Sequence, residues 1–238
     1  MPTLLMTGAN RGLGLGMTGL FADAGWTIHA CCRKPDAADE LKAIADKGDV
    51  HIHALDVGDF AAIESLAAEL KGTAIDVLFN NAGIMNATQK SFDPTDTSDA
   101  FGNLDFDGWM QILRINVMAP ARMTECFVGH VAASDRKTIC NMSSIMGSIG
   151  GNDSGSWYAY RTSKAALNMV TRSLAADLKD QDITVVSLHP GWVRTSMGGP
   201  SAALSPEESV SGLFEVVSGI KPENSGELIC WDGGTLPW

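Results

Sequence analysis

Thr7-Gly8-Ala9-Asn10-Arg11-Gly12-Leu13-Gly14 stands directly after an apolar, strand-like stretch at 3–6 and directly before a stretch of helical period at 13–24. Strand, glycine-rich turn and helix is the order in which a parallel sheet hands its chain to a covering helix. Glycines at such a turn let the backbone reverse tightly and let a ligand approach it. The first N–H groups of a helix attract negative charge, so the turn suits the pyrophosphate of a dinucleotide, with Gly8, Asn10, Arg11, Gly12, Leu13 and Gly14 as its contacts. Read alone, the same turn also fits an ordinary connection, and the rest of the chain has to decide.

Outward from the turn, short apolar runs rich in β-branched residues recur at 27–32, 51–55, 77–80, 138–142, 184–189 and 228–231. Helical periodicity separates them at 37–47, 60–70, 109–133, 157–179 and 206–219. The alternation predicts an α/β protein built on a doubly wound parallel sheet of about seven strands, with helices on both faces. With 238 residues, 45% of them hydrophobic, residues 1–238 are expected to form a single domain. Two polar stretches broken by glycine and proline, at about 86–107 and 195–208, are expected to be substrate loops beyond the strand ends.

A net charge of −11 argues against a nucleic acid or an anionic membrane as partner, because an acidic surface repels phosphate unless a local basic patch overrides it. The five cysteines are scattered and lack metal-site spacing, so reduced thiols and no metal are expected. The start of the chain has no signal-peptide pattern, and no run approaches the ~20 apolar residues of a membrane span, so a cytoplasmic protein is expected.

The end of the second strand reads Cys31-Cys32-Arg33-Lys34. An acid at this place would hold the ribose hydroxyls of NAD, whereas Arg33 offers a planar fork for a 2′-phosphate and Arg11 can approach from the other side. The preferred cofactor is therefore NADP(H), with NAD(H) possible through Asp36. The third strand runs into Asp56-Val57 and the fourth into Asn81-Ala82-Gly83, and both ends point at the same crevice. Asp56 is expected to accept from the adenine amino group and Val57 to pack on the ring, although Asp and Asn are also common turn formers.

Tyr160 and Lys164 stand four apart in a helical stretch and share a face. A phenol titrates near 10, and proton exchange near neutrality calls for a shift worth about 3–4 kcal/mol. One cation ~5 Å away supplies about 3 kcal/mol at an effective dielectric of ~20. Upstream, 138–142 reads as a buried strand ending in Ser143 and Ser144, which puts a hydroxyl at the ligand edge of the sheet. Tyr158, six before Lys164, falls off that helical face.

Together, these motifs resemble the short-chain dehydrogenase/reductase family over essentially the whole chain: Thr7 to Gly14, Asn80 to Gly83, Asn116 in Arg114-Ile115-Asn116-Val117, Ser144, Tyr160 with Lys164, and Pro190-Gly191 leading to Thr195. Tyr158 to Lys164 and the ending Trp231-Asp232-Gly233-Gly234-Thr235-Leu236-Pro237-Trp238 are similar to the carbonyl-reductase branch with Sniffer-like and C-factor-like members. The resemblance implies a Rossmann fold and interconversion of a ketone or aldehyde with an alcohol. It also implies that Ser144 polarises the carbonyl, Tyr160 passes the proton, Lys164 bonds the nicotinamide ribose, and Asn116 holds a water relaying protons to Lys164. It assigns Pro190, Gly191, Val193 and Thr195 to the nicotinamide half of the cofactor and implies a homodimer or homotetramer. Through the C-factor-like members, a signalling or sensor protein of the same fold is the alternative. The sixteen-residue step from Ser144 to Tyr160 exceeds the family's commonest spacing, with Gly150 to Gly155 lengthening the connection.

Overall fold

The computed structural model describes residues 1–87 and 99–238. Seven strands form one sheet: β1 (Thr3–Thr7), β2 (Thr27–Cys32), β3 (Val50–Ala54), β4 (Val77–Asn80), β5 (Thr138–Met142), β6 (Thr184–His189) and β7 (Leu228–Cys230). Their order is β3-β2-β1-β4-β5-β6-β7 and all pairings are parallel. The winding reverses between β1 and β4, and beyond the carboxyl ends of these two strands the covering helices diverge and leave a crevice.

Strand residues alternate between two packed layers, as a period of two requires. Leu4, Met6, Ile28, Phe79 and Val186 face one side, where Met17 and Phe21 of α1 (Gly12–Asp23), Leu41 of α2 (Asp39–Ala45) and Leu213 of α7 (Pro206–Gly219) cover them. Leu5, Leu78, Ile139 and Val185 face the other, under Ile63 of α3 (Phe60–Glu69) and Met123 and Phe127 of α5 (Ala119–Ala132). Burying each of these aliphatic or aromatic side chains contributes roughly 1.5–3 kcal/mol. Of the five cysteines, all free, Cys31, Cys32 and Cys140 are buried, while Cys126 and Cys230 are half-buried. No helix among the described residues is long and apolar enough to cross a membrane.

The largest departure from the sequence expectation lies in the helix predicted over 109–133. Asp105 accepts from the Gly108 N–H at 2.9 Å and so starts α4 (Phe106–Leu113) three residues early, inside the stretch expected as loop. The helix then widens into a π turn over Arg114–Met118 before α5 begins. Pro120 has no N–H to close an α-helical bond to the carbonyl of Asn116 four residues before it, and the ladder is interrupted there. The second expected loop ends at Ser205, whose hydroxyl accepts from Glu208 N while the Glu208 carboxylate accepts from Ser205 N, a reciprocal cap on α7. Of the first expected loop, 88–98 lies outside the described residues. The helix expected over 157–179 is α6 (Tyr158–Asp177).

Candidate active site

A cleft of about 520 Å³ opens at the carboxyl edge of the sheet, and its floor is the glycine-rich turn. Gly8 has φ +68°, in the left-handed region, and a β-carbon on Gly14 would overlap the Gly8 carbonyl oxygen. Arg11 is extended and no side chain caps α1, so the first helical turn presents N–H groups where Gly12, Leu13 and Gly14 line the cleft. Asn81 braces the turn by donating from Nδ2 to the carbonyls of Thr7 (2.9 Å) and Gly8 (3.2 Å). In return, Thr7 Oγ1 accepts from the N–H groups of Asn81 and Ala82 at 3.0 Å. Asn81, Ala82 and Gly83 line the cleft as expected.

Gly8, Asn10, Arg11 and Arg33 lie along the same wall, with both arginines exposed. Asp36, the acid that kept NAD(H) open, lies outside the lining, and its carbonyl accepts from Lys42 Nζ at 2.6 Å. Asp56 and Val57 also line the cleft, and Asp56 Oδ1 accepts from Gly58 N at 2.9 Å, which folds the exit of β3. An uncapped helix start, room for an extended ligand and two exposed guanidinium groups together fit a nicotinamide dinucleotide phosphate.

At the far end, Tyr160 and Lys164 of α6 reach the cleft from one face of the helix. Lys164 Nζ lies 5.6 Å from the centre of the Tyr160 ring and donates to the Met142 carbonyl at 2.8 Å. Ser144 lies beside Tyr160, close enough to pull its phenol down, and its Oγ accepts from Met146 N at 3.1 Å. Ser143, the competing serine, lines the cleft, and its hydroxyl is engaged there as a donor to Asn168 Oδ1 at 2.6 Å.

The electrostatic expectation at this pair requires correction. Burial pushes the Tyr160 phenol up to about 12, with the Ser144 hydrogen bond pulling in the opposite direction, and burial pushes the Lys164 ammonium down to about 8. The stabilisation expected from a neighbouring cation does not overcome desolvation of the phenolate.

Asn116 is buried, not in the cleft wall. Its Oδ1 accepts from Ile84 N (2.9 Å), and its Nδ2 donates to Ile84 O (2.8 Å) and Ser163 Oγ (3.0 Å), so its side chain ties the exit of β4 to α6. Pro190 and Thr195 line the cleft, whereas Val193 is buried and bridges to Leu204, and Gly191 packs under Leu204 and Trp231. Ser144 also stays outside the lining, beside Tyr160, whereas Ser143 is part of it.

Residues 2–204 match the family model described as short chain dehydrogenase. The chain belongs to the short-chain dehydrogenase family. It is 38% identical over 164 residues to the C-signal of Myxococcus xanthus, covering 69% of this chain and 93% of that protein. Its structure superposes on carbonyl reductase Sniffer of D. melanogaster with a TM-score of 0.88 at 36% identity, over the full length of both chains. An NADPH-bound carbonyl reductase from chicken fatty liver superposes with a TM-score of 0.88 at 32% identity, covering 100% of this chain and 99% of that one. Within the family, this short-chain dehydrogenase sits with the carbonyl-reductase branch.

Sequence reasoning about this dehydrogenase missed Gln111 and Arg114, which α4 and the π turn bring to the cleft. Arg114 donates from Nε to the Gly58 carbonyl at 2.9 Å and stacks 4.3 Å over the Phe60 ring. A cation three residues beyond Gln111 signalled a shared helical face, but nothing in the sequence said that this face meets the exit of β3. Ser196 and Met197, next to the expected Thr195, also line the site.

Proposed function

We propose that the protein is an NADP(H)-dependent oxidoreductase that interconverts a ketone or aldehyde and an alcohol, with Tyr160 as general acid and base. The observation that carries this reading is one continuous cleft that runs from Arg11 and Arg33, across the uncapped α1 terminus, to Tyr160 and Lys164. Arg11, Gly12, Leu13, Gly14, Arg33 and Thr195 would hold the phosphates, Asp56 and Val57 the adenine, and Lys164 the nicotinamide ribose. When bound, the dinucleotide supplies or accepts the hydride.

The chain's own residues handle the proton. In reduction, the Tyr160 hydroxyl donates its proton to the substrate oxygen as negative charge develops there, and the Ser144 hydroxyl donates a hydrogen bond to the same oxygen. A phenol held high by burial remains protonated at neutral pH, as an acid must. Lys164, with its ammonium brought near neutrality by burial, is suited to return a proton to Tyr160. Asn116 holds the exit of β4 against α6 and so keeps Gly83 between its own Oδ1 and Lys164 Nζ.

The test is NADPH oxidation, followed by absorbance, against a panel of aldehydes and ketones. Turnover by the wild type that falls at least ~10²-fold in Tyr160→Phe, the usual scale for losing a general acid, is expected. No turnover with any carbonyl, or equal rates in the two proteins, would sink the reading.

A homodimer or homotetramer in the cytoplasm belongs to the same proposal. Exposed Phe106, Met110, Met118 and Met169 on and beside α4, α5 and α6 support assembly through these helices, and sedimentation velocity would settle it. The 38% identity to the C-signal favours a second reading, in which the relevant output is a partner interaction. Full rescue of a deletion phenotype by Tyr160→Phe would support that reading over the first.

A further inference from the structure

The helix that carries Tyr160 and Lys164 has no cap of its own. Trp157 stands at its N-cap position in the left-handed region (φ 56°, ψ 41°) with no side-chain bond to the helix, and Ser156 before it is left-handed as well (φ 52°). Two consecutive non-glycine residues in that region persist only where surrounding contacts hold them. The helix start that follows them is held from sixty residues upstream, in the connection between β4 and α4. Asp99 accepts from Ala159 N with both carboxylate oxygens, at 2.8 and 3.0 Å, and from Tyr160 N with one of them at 3.4 Å. Its main-chain carbonyl accepts from Tyr158 N at 3.4 Å. One residue therefore takes the first three N–H groups of α6.

A second tie joins the same two regions. Trp109 Nε1 on α4 donates to Thr162 Oγ1 at 2.9 Å, that hydroxyl donates in turn to the Tyr158 carbonyl at 2.6 Å, and Ile84, Ile112 and Ala159 pack together beside it. The first turn of α6 is thus clamped to the β4–α4 connection, and Tyr160 lies within that turn.

We propose that Asp99 is a positioning residue for the reaction. It fixes the direction in which α6 leaves Trp157, and with it the aim of the Tyr160 phenol at Ser144. It also sets a fixed negative charge at the end of the helix where Tyr160 ionises. The Tyr160 side chain faces Lys164 on its own helix and Ser144 from the end of β5, while its main-chain N–H meets Asp99 at the helix start. Arg161 turns away to the Gly155 carbonyl and the Ser154 hydroxyl. The carboxylate stabilises the helix terminus and at the same time disfavours a second negative charge on the phenol. Asp99 therefore trades ease of deprotonation for a fixed geometry.

This inference rests on the oxidoreductase reading, and its test separates the two. Asp99→Ala and Asp99→Asn are compared with wild type for kcat and KM across pH, for NADPH affinity by fluorescence titration, and for hydrogen exchange at the amides of residues 158–160. In Asp99→Ala, kcat is expected to fall about tenfold or more while NADPH affinity stays within about twofold and the three amides exchange faster. Asp99→Asn keeps an oxygen acceptor, so it should recover most of kcat, and loss of the charge should move the apparent pKa of the rate profile down by roughly half a unit to one unit. A kcat in Asp99→Ala within about twofold of wild type, or an unmoved profile in Asp99→Asn, overturns the positioning role. If the wild type oxidises no NADPH with any carbonyl, the oxidoreductase reading has failed. Exchange alone then judges the clamp, and unchanged amides overturn it.

Discussion

Ser143 and Ser144 are adjacent in sequence and chemically identical, yet the end of β5 gives their hydroxyls different partners. Ser143, in the cleft lining, donates to Asn168, while Ser144 lies beside the Tyr160 phenol. Substituting each by alanine should therefore produce different failures. Ser144→Ala is expected to keep the fold and lower kcat by about 10- to 10³-fold, the range for losing one donor to a developing oxyanion. Ser143→Ala leaves Asn168 Oδ1 short of a buried donor, so it should lose about 1–3 kcal/mol of stability with kcat within a few-fold of wild type. Denaturant melts and steady-state rates on the two variants check both halves, and a larger kcat loss in Ser143→Ala would exchange the assigned roles. That Tyr160 and Lys164 meet at one cleft was legible in their spacing, because residues four apart share a helical face. The charge balance was not, because the cation's pull on the phenol competes with a desolvation penalty that depends on how deeply α6 seats Tyr160.

Secondary elements were legible where the hydrophobic period was clean, as in β1, β5, β6 and α7, and less so where a single side chain resets a boundary. Asp105 and Pro120 do so at α4 and α5. The pairing of β2 with β3 shows a consequence of register that no single-strand reading supplies. His29 lies opposite His51 and Cys31 opposite His53, so three imidazoles gather on one face of the sheet edge. His29 Nδ1 and His53 Nε2 share a hydrogen bond of 3.0 Å, and His53 Nδ1 lies 3.5 Å from Glu69 Oε1. Burial, followed by the charges of His53 and His51, lowers His29 from 6.5 to about 4, and burial alone lowers His189 on β6 from 6.5 to about 4, opposed by Asp232. In the folded protein both imidazoles stay neutral in a pH range where the unfolded chain protonates them. Their contribution is thus complete above pH 6.5 and is lost as the pH falls towards about 4. Each is worth at most roughly 3 kcal/mol. Thermal melts should show Tm falling through that window, and His29→Gln should flatten the fall. A wild-type Tm constant from pH 7 to 4.5 would contradict the assignment.

At the scale of the whole molecule, the net charge of −11 opposes any polyanionic ligand, so affinity for a dinucleotide phosphate must come from a few close contacts. The uncapped α1 terminus would serve the pyrophosphate of either dinucleotide, whereas Arg11 and Arg33 are exposed on the wall where a 2′-phosphate would add its charge. Because a guanidinium–phosphate contact is charge-assisted, losing one costs about 1.5–3 kcal/mol, or roughly 10- to 150-fold in affinity. Arg33→Ala should therefore raise the KM for NADPH by about that factor and leave the KM for NADH within about threefold. The same substitution removes a positive charge from an already acidic surface, which weakens long-range attraction for both cofactors. That component is screened over a Debye length of about 8 Å at physiological salt, while the close contact is screened much less. Measuring both constants at low and at physiological ionic strength separates the two. Selective loss of NADPH that persists at the higher salt marks a local phosphate contact. Equal loss of both cofactors that disappears with added salt would mean that Arg33 acts only through the field of the whole surface, and NADP(H) preference would then have to arise elsewhere in the cleft.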